Sequence, residues 1–233
     1  MVVYLNGQFA VTLDDSALIT PEKNKLILPT KRLAVEIAKE WDKQGKEIDT
    51  LLMPNTRMAC TAIDRISADK ELIVAKLVEY ASTDLVCYRA SSPKSLRSRQ
   101  EELWQPILHW VEKFFAAPLT VTEGVMPVAQ PPNSLTRLKN VLLKYNAFEL
   151  VGVVNLTQAS GSLVLALGML ECEIGPEFCI KACQIDDQYQ IDSWGEESEL
   201  MERLDHQARD IRASARFLSL LKINGCGDAE IPR

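Results

Sequence analysis

The sequence predicts an α+β protein, in which a small N-terminal mixed α/β domain precedes a mainly α-helical C-terminal domain. Three observations predict this class. The first residues, VVYLNGQFAV, are strand-like around an Asn-Gly pair that favours a tight turn, a helical spacing of apolar residues begins near residue 31, and helical spacing dominates from about residue 93 onward. The predicted division lies near residue 80, so the two domains would span 1–80 and 81–233.

The first element is predicted to be a β-hairpin. The pair Asn6-Gly7 fits a type I′ turn, because both central residues of that turn need a positive φ. This turn would place Tyr4 opposite Phe9 and Val2 opposite Val11. A second turn is expected at 14–15, and the short apolar run KLILP at 25–29 predicts another strand.

Helices follow in the N-terminal domain. Over TKRLAVEIAKEWDKQG, apolar residues recur at helical spacing, with Thr30 as the expected N-cap and Gly45 as the expected C-terminal stop. Trp41 completes this apolar stripe, so a core position is expected for it, with a contact position as the alternative. Two more helices are predicted within 53–66 and over 70–80.

The C-terminal part is predicted to be a series of helices. A long helix should begin near 93 and be kinked or restarted at Pro106, because proline removes a helical hydrogen bond. The extended segments PLTVTEG and MPVAQPP that follow it are expected to form a two-stranded arm or a linker. The remaining helices are predicted near 133–145, 147–160, 162–173, 175–190 and 197–221.

Composition excludes several classes of function. The net charge of −6 and the lack of a Lys/Arg run argue against a nucleic-acid partner. The most apolar window, SLVLALGML, is far below the roughly 20 residues of a membrane span, so no membrane insertion is expected. The start MVVYLNGQ lacks the features of a signal peptide. It therefore predicts a cytoplasmic location in a bacterium, or the mitochondrial matrix for a processed eukaryotic form, with all six cysteines reduced.

The usual signatures of catalysis do not occur in the sequence. It contains no GxSxG, HExxH or GxxxxGK[ST] pattern, and only two histidines are available to activate a nucleophile. No catalytic residue and no metal or cofactor ligand is predicted from these patterns.

One acidic segment stands out, IDDQYQIDSWGEESELMER over 185–203. It has seven carboxylates and no basic residue between Lys181 and Arg203. An EF-hand loop is excluded, because the required first and twelfth positions would be Gln190 and Met201. Glu196, Glu197 and Glu199 would lie in the first turn of the last helix, where its dipole favours anions, so a helix start is one interpretation. A surface that a partner protein recognises is the other, and a metal-dependent hydrolase using the acids of 186–202 is a third hypothesis.

Five blocks of sequence, in order, resemble one protein family. They are LILPTKRLAVEIAKEWDKQGKEID, TDLVCYRA, the residues Gln100, Trp104, Pro106, Leu108 and Trp110, GSLVLALG, and the pattern formed by Asp186, Tyr189, Gln190, Trp194 and Gly195. The chain is similar over about 9–218 to the assembly chaperones for the alpha subunit of the F-type ATP synthase, the ATP-twelve chaperones. It departs at 14–15, where the family usually has Asp-Gly.

The resemblance implies a binding protein without catalytic residues, cofactor or small-molecule substrate. Its client would be the unassembled alpha subunit, held at the surface that the beta subunit later covers. The resemblance also points to Trp194, Glu196, Glu197 and Glu199 as the client-binding residues. A helical scaffold protein joining two partners remains an alternative.

Overall fold

A small antiparallel sheet opens the chain in the computed structural model, which describes residues 1–5, 8–14 and 16–222. Its strands are β1 (Val2–Leu5), β2 (Gln8–Leu13), β3 (Ser16–Ala17) and β4 (Ile27–Leu28). Strand β2 pairs with the other three, so it forms the centre of the sheet.

The predicted register of the hairpin is confirmed. Val2 lies opposite Val11 and Tyr4 opposite Phe9. The Asn6-Gly7 turn from which this register was predicted lies outside the described residues. At the second expected turn, Asp14 has a φ of 47°, while Asp15 also lies outside the described residues.

Ten α-helices follow in the described part of the chain. They are α1 (Lys31–Asp42), α2 (Pro54–Thr61), α3 (Lys70–Ser82), α4 (Lys94–Phe115), α5 (Pro132–Leu142), α6 (Ala147–Ser160), α7 (Leu163–Leu170), α8 (Pro176–Cys183), α9 (Ile185–Trp194) and α10 (Ser198–Leu221). A π-helical turn, Ala62–Ile66, extends α2. The strands β5 (Tyr88–Arg89) and β6 (Thr122–Glu123) pair in parallel and hold the predicted extended arm against the body. The expectation of an α+β fold, with its sheet near the N-terminus, is confirmed.

Helix α1 begins as predicted but ends earlier. Thr30 caps it, since its hydroxyl accepts a hydrogen bond from the N–H of Leu33 at 3.2 Å. Gly45 is not the C-terminal stop. The helix ends at Asp42, where the side chain of Gln44 folds back and donates to the carbonyl of Glu40 at 3.2 Å.

The predicted single helix over 175–190 is wrong, because it is divided at Gln184 into α8 and α9. In a continuous helix the carbonyl of Ala182 would accept from the N–H of residue 186. Here it accepts instead from the indole Nε1 of Trp104 at 2.9 Å, and the side chain of Gln184 donates to the carbonyl of Leu204 at 2.9 Å. Tertiary hydrogen bonds therefore end α8 early.

Pro106 does not restart the helix that contains it. Helix α4 runs through this residue over 22 positions, and Trp104, Ile107 and Leu108 around it are buried. Burial of this apolar face compensates for the hydrogen bond that proline cannot donate.

The buried side chains form one continuous cluster that extends through both parts of the chain. Leu33 and Ile37 of α1 belong to it, together with Leu165 of α7 and Phe217 of α10. Helix α7 is buried on every side, which explains why its sequence is apolar throughout. The division at residue 80 stays a prediction.

Candidate functional site

The acidic segment folds as the end of one helix, a short link and the start of another. Helix α9 ends at Trp194, and Gly195 follows with a φ of 93° that other residues rarely adopt. Helix α10 begins at Ser198, with Glu197 as its cap. The expectation that three glutamates lie in its first turn is therefore corrected: only Glu199 does, whereas Glu196 lies in the link.

The three upstream aspartates are bound to neighbouring helices. Asp186 accepts from the amide of Gln100 at 2.7 Å, Asp187 from Arg203 at 2.8 Å, and Asp192 from Arg99 at 2.6 Å. These contacts join α9 to α4 and α10. They account for the aspartates as structural residues.

Two of these aspartates respond oppositely to their surroundings. Burial raises the pKa of Asp186, although the hydrogen bond from Gln100 acts against this shift. The hydrogen bond from the Arg99 side chain, with a second from Gln188, lowers the pKa of Asp192. The guanidinium of Arg99 also lies 5.2 Å from the centre of the Tyr189 ring, so α9 is held to α4 by both polar and aromatic contacts.

The downstream glutamates differ from the aspartates. The side chains of Glu196, Glu197 and Glu199 are exposed and form no hydrogen bond or ion pair with any residue that the structure describes. Trp194 beside them has 80% of its surface exposed, which is unusual for the largest apolar side chain. We call these four residues the acidic edge.

Trp41 lies on α1 and is half-buried against the core cluster. Its indole Nε1 is buried without a hydrogen-bond partner among the described residues. The preceding residue, Glu40, is buried and accepts from the backbone N–H groups of Asn55 and Thr56, both at 2.8 Å. Whether Trp41 also contacts a partner stays a prediction.

The sequence patterns did not identify the residues that bind the aspartates. Arg99 and Gln100 lie almost ninety residues before α9, and only the packing of α4 against α9 brings them together. A usable signal was present, because no basic residue lies between Lys181 and Arg203, so any counter-charge for the aspartates would have to come from Arg203 or from other elements. Glu40, a charged residue on the buried side of an amphipathic helix, was missed as well.

The metal-dependent hydrolase hypothesis gains no support from this arrangement. Within 1–5, 8–14 and 16–222, no three residues of the types His, Cys, Asp and Glu come together in a way that could hold a metal ion. Of the two histidines, His109 contacts Gln105 at 3.0 Å and His206 contacts Arg209 at 2.9 Å. In the same part of the chain, no helix is both long and apolar enough to cross a membrane.

The expectation that all six cysteines are reduced is wrong for Cys172, which is disulfide-bonded. Cys60, Cys87, Cys179 and Cys183 have free thiols. Burial raises the pKa of Cys60 to about 11, so this thiol is not activated.

Comparisons with known proteins identify the family to which this chain belongs. A family model described as ATP12 chaperone protein matches residues 2–112. The crystal structure of Atp12 from Paracoccus denitrificans is 34% identical, with a TM-score of 0.91 and 95% of each chain covered. The chain belongs to the ATP12 chaperone family. A mutant of the Paracoccus protein matches equally well.

A protein from a second organism has a similar structure. The protein Atu1473 from Agrobacterium tumefaciens, also described as a chaperone, is 33% identical with a TM-score of 0.89. The match covers 95% of the present chain and 84% of the other. The resemblance drawn from the five sequence blocks is confirmed, and a chaperone role follows from membership of this family.

Proposed function

We propose that this ATP12-family protein is an assembly chaperone that binds the unassembled alpha subunit of the F-type ATP synthase. It shields the surface of the alpha subunit that the beta subunit covers in the finished enzyme. Interfaces of permanent complexes are large and apolar, and they promote aggregation while they are unpaired. A protein that covers such a surface temporarily acts by binding alone.

The observation that supports this proposal is the acidic edge. Trp194 offers a large aromatic surface with two side-chain torsions, which is a typical anchor of protein interfaces. Glu196, Glu197 and Glu199 have no partner among the described residues, so their charges are available to basic groups on a client. No residue in this group is needed to explain the packing of α9 or α10.

The position of the acidic edge is fixed by the rest of the site. Arg99 and Arg203 bind the aspartates of α9 and thereby hold the helix end that bears Trp194. The exposed residues are presented from an ordered platform, which reduces the entropy lost when a client binds.

The proposal is tested by co-expression with the cognate alpha subunit followed by affinity capture, with the beta subunit as a parallel bait. We expect the alpha subunit to be captured and the beta subunit to be recovered poorly. If the alpha subunit is not captured from cells that contain it in soluble form, the proposal is wrong.

The residues are tested by charge reversal. We expect Glu197→Lys and Glu199→Lys each to weaken capture by roughly tenfold or more, because like charges would face each other at the interface. Glu79→Lys on α3 is a matched control, since Glu79 is also exposed on a helix and has no side-chain partner in the described ranges. The loss of capture should become smaller as salt is added, because salt screens charge interactions beyond about 8 Å at physiological ionic strength.

Melting temperatures separate binding from folding. The two reversal variants should melt within a few degrees of the parent, since neither glutamate side chain forms a hydrogen bond or ion pair with a described residue. Capture that survives both reversals would leave the acidic edge as a helix start only. A parallel loss of capture and melting temperature would also contradict the proposed contact, because the lost binding would then reflect lost folding.

A further inference from the structure

A second surface lies where α2, α6 and α10 meet. A crevice of about 360 Å³ opens there. Its more buried lining consists of small or flexible side chains, and its remaining lining is mostly polar. The residues used below are Met58, Ala159 and Ala213 from the first group and Arg57, Asn155, Gln158 and Asp210 from the second.

The polar side chains of the crevice do not bind one another. Arg57, Asn155, Gln158 and Asp210 form no side-chain hydrogen bond or ion pair with any residue in the described ranges. Arg57 on α2 and Asp210 on α10 line the same crevice with opposite charges, yet they remain unpaired. Opposite charges held apart in this way leave one site for an acidic group and one for a basic group.

Asn155 and Gln158 are polar residues on a mostly apolar helix. Most of α6 is apolar and buried, and this is the helix whose apolar run Asn155 and Gln158 interrupt in the sequence. They lie three positions apart, so they occupy the same helix face. A carboxamide both donates and accepts, which matches the alternating N–H and C=O groups of a peptide backbone.

Two exposed aliphatic side chains lie just before the crevice in the sequence. Leu51 and Leu52 are 76% and 67% exposed and come just before Pro54, which itself lines the crevice. Their loop is held in place: Asp49 accepts from the N–H of Leu51 at 2.9 Å and its own N–H donates to Gln44 at 2.8 Å. The two leucines are thus held at the surface by a hydrogen-bonded loop.

We propose that this crevice, together with Leu51 and Leu52, is a second client-binding surface that takes an extended segment of the alpha subunit. The inference rests on the proposed function. The amides of Asn155 and Gln158 bind the backbone of the segment, and an apolar side chain enters between Met58, Ala159 and Ala213. Residues of the segment with opposite charges lie against Arg57 and Asp210.

The size of the acidic edge supports a second surface. A specific protein interface takes up about 800 Å² on each partner and roughly 20–30 residues. The acidic edge consists of only four residues, far fewer than such an interface contains. A client bound as stably as a chaperone requires must contact more of the surface, and the crevice supplies unpaired polar groups next to exposed apolar ones.

Two substitutions test the crevice itself. Asp210→Lys reverses its negative charge, and Ala213→Phe fills it. Matched controls are Glu79→Lys and Ala75→Phe, both at exposed positions of α3. Capture of the purified alpha subunit is measured by titration, and the melting temperature of each variant is measured in parallel.

We expect both crevice variants to capture the alpha subunit at least tenfold more weakly than the parent, with the controls within about twofold. Gln158→Ala is a milder variant. Because Gln158 is exposed, its truncation should leave the stability of the fold nearly unchanged, and it should also weaken capture. A photo-cross-linking residue at position 158 should form its adducts with one contiguous stretch of the alpha subunit. Adducts spread over many stretches would contradict a defined segment.

The outcomes distinguish this proposal from the preceding one. If the acidic-edge variants lose capture while the crevice variants keep it, the crevice proposal is overturned and the proposed function stands. If the parent captures no alpha subunit, the proposed function fails, and the crevice proposal fails with it because it names the same client. If the parent is a dimer that Asp210→Lys and Ala213→Phe make monomeric, the occupant is a second copy of this chain and the proposal is wrong.

Discussion

At the scale of single residues, buried carboxylates define local geometry in this protein. Glu40 accepts four hydrogen bonds from Asn55 and Thr56, two from backbone N–H groups and two from side chains. It therefore caps the N-terminus of α2 from a different helix. Asp84 has the same role for α7, where its carboxylate accepts from the N–H of Val164 at 3.0 Å.

Asp84 leads to a prediction about pH. It is completely buried, and burial raises its pKa to about 6 despite hydrogen bonds from Ser162 and the nearby backbone. Between about pH 4 and 6 the folded state then holds a proton that the unfolded state has released, so the free energy of unfolding falls as the pH rises. The contribution is full below about pH 4 and is lost through pH 6, and it amounts to about 3 kcal/mol at most.

Asp84→Asn tests this prediction, because an amide does not titrate. Urea unfolding at pH 4 and pH 7 should show a smaller pH dependence in the variant than in the parent. Cys87, also buried and close to Asp84, has a pKa raised chiefly by burial, so it stays neutral over this range. Equal pH dependence in parent and variant would mean that Asp84 titrates normally.

At the scale of elements, the contact between α6 and α10 depends on a glycine. A Cβ built at Gly152 would lie 2.4 Å from Cδ2 and 2.7 Å from Cγ of Leu218, which is too close for any real contact. Gly152 lies within α6, where glycine is otherwise unfavourable by about 1 kcal/mol relative to alanine. Close packing of the two helices explains why it is tolerated.

We therefore predict that Gly152→Ala lowers the free energy of unfolding by about 1–3 kcal/mol, because the added methyl group overpacks the core. Gly45→Ala is the matched control, since no atom lies within 4 Å of a Cβ built there. Chemical denaturation of both variants measures the effect. A stabilised Gly152→Ala protein would indicate that α6 and α10 can move apart without loss.

At the scale of the whole molecule, contacts between the two predicted domains are extensive. The hydroxyl of Thr30 donates to the carbonyl of Leu220 at 2.7 Å, and Lys70 donates to the carbonyl of Leu143 at 2.7 Å. Together with the continuous core cluster, these contacts lead us to expect that both parts unfold together.

Tryptophan fluorescence can test this expectation separately in each part. Trp41 reports on the first part and the buried Trp104 on the second, so Trp→Phe variants leaving one or the other provide two probes. We expect coincident unfolding curves from both probes and from far-UV circular dichroism. Two separated transitions, divided near residue 80, would show instead that the domains are independently stable.

The sequence alone determined the elements whose signals are local. The hairpin register, the Thr30 cap, helix α6 up to Gly161 and the α+β class all follow from turn chemistry, capping and apolar period, which act within a few residues. The family resemblance was equally available, because its blocks can be compared along the chain without any knowledge of distances.

Only the tertiary structure decided which acidic side chains bind a partner residue and which remain unpaired. In the sequence, Asp186 and Glu197 are equivalent members of one acidic segment. Packing gives Asp186 a partner from α4, ends α8 through the indole of Trp104, and leaves Glu197 and Trp194 exposed. These contacts depend on residues some eighty to ninety positions away, and no local pattern specifies which distant side chain will pack against the segment. The acidic edge and the crevice are for this reason properties of the folded chain.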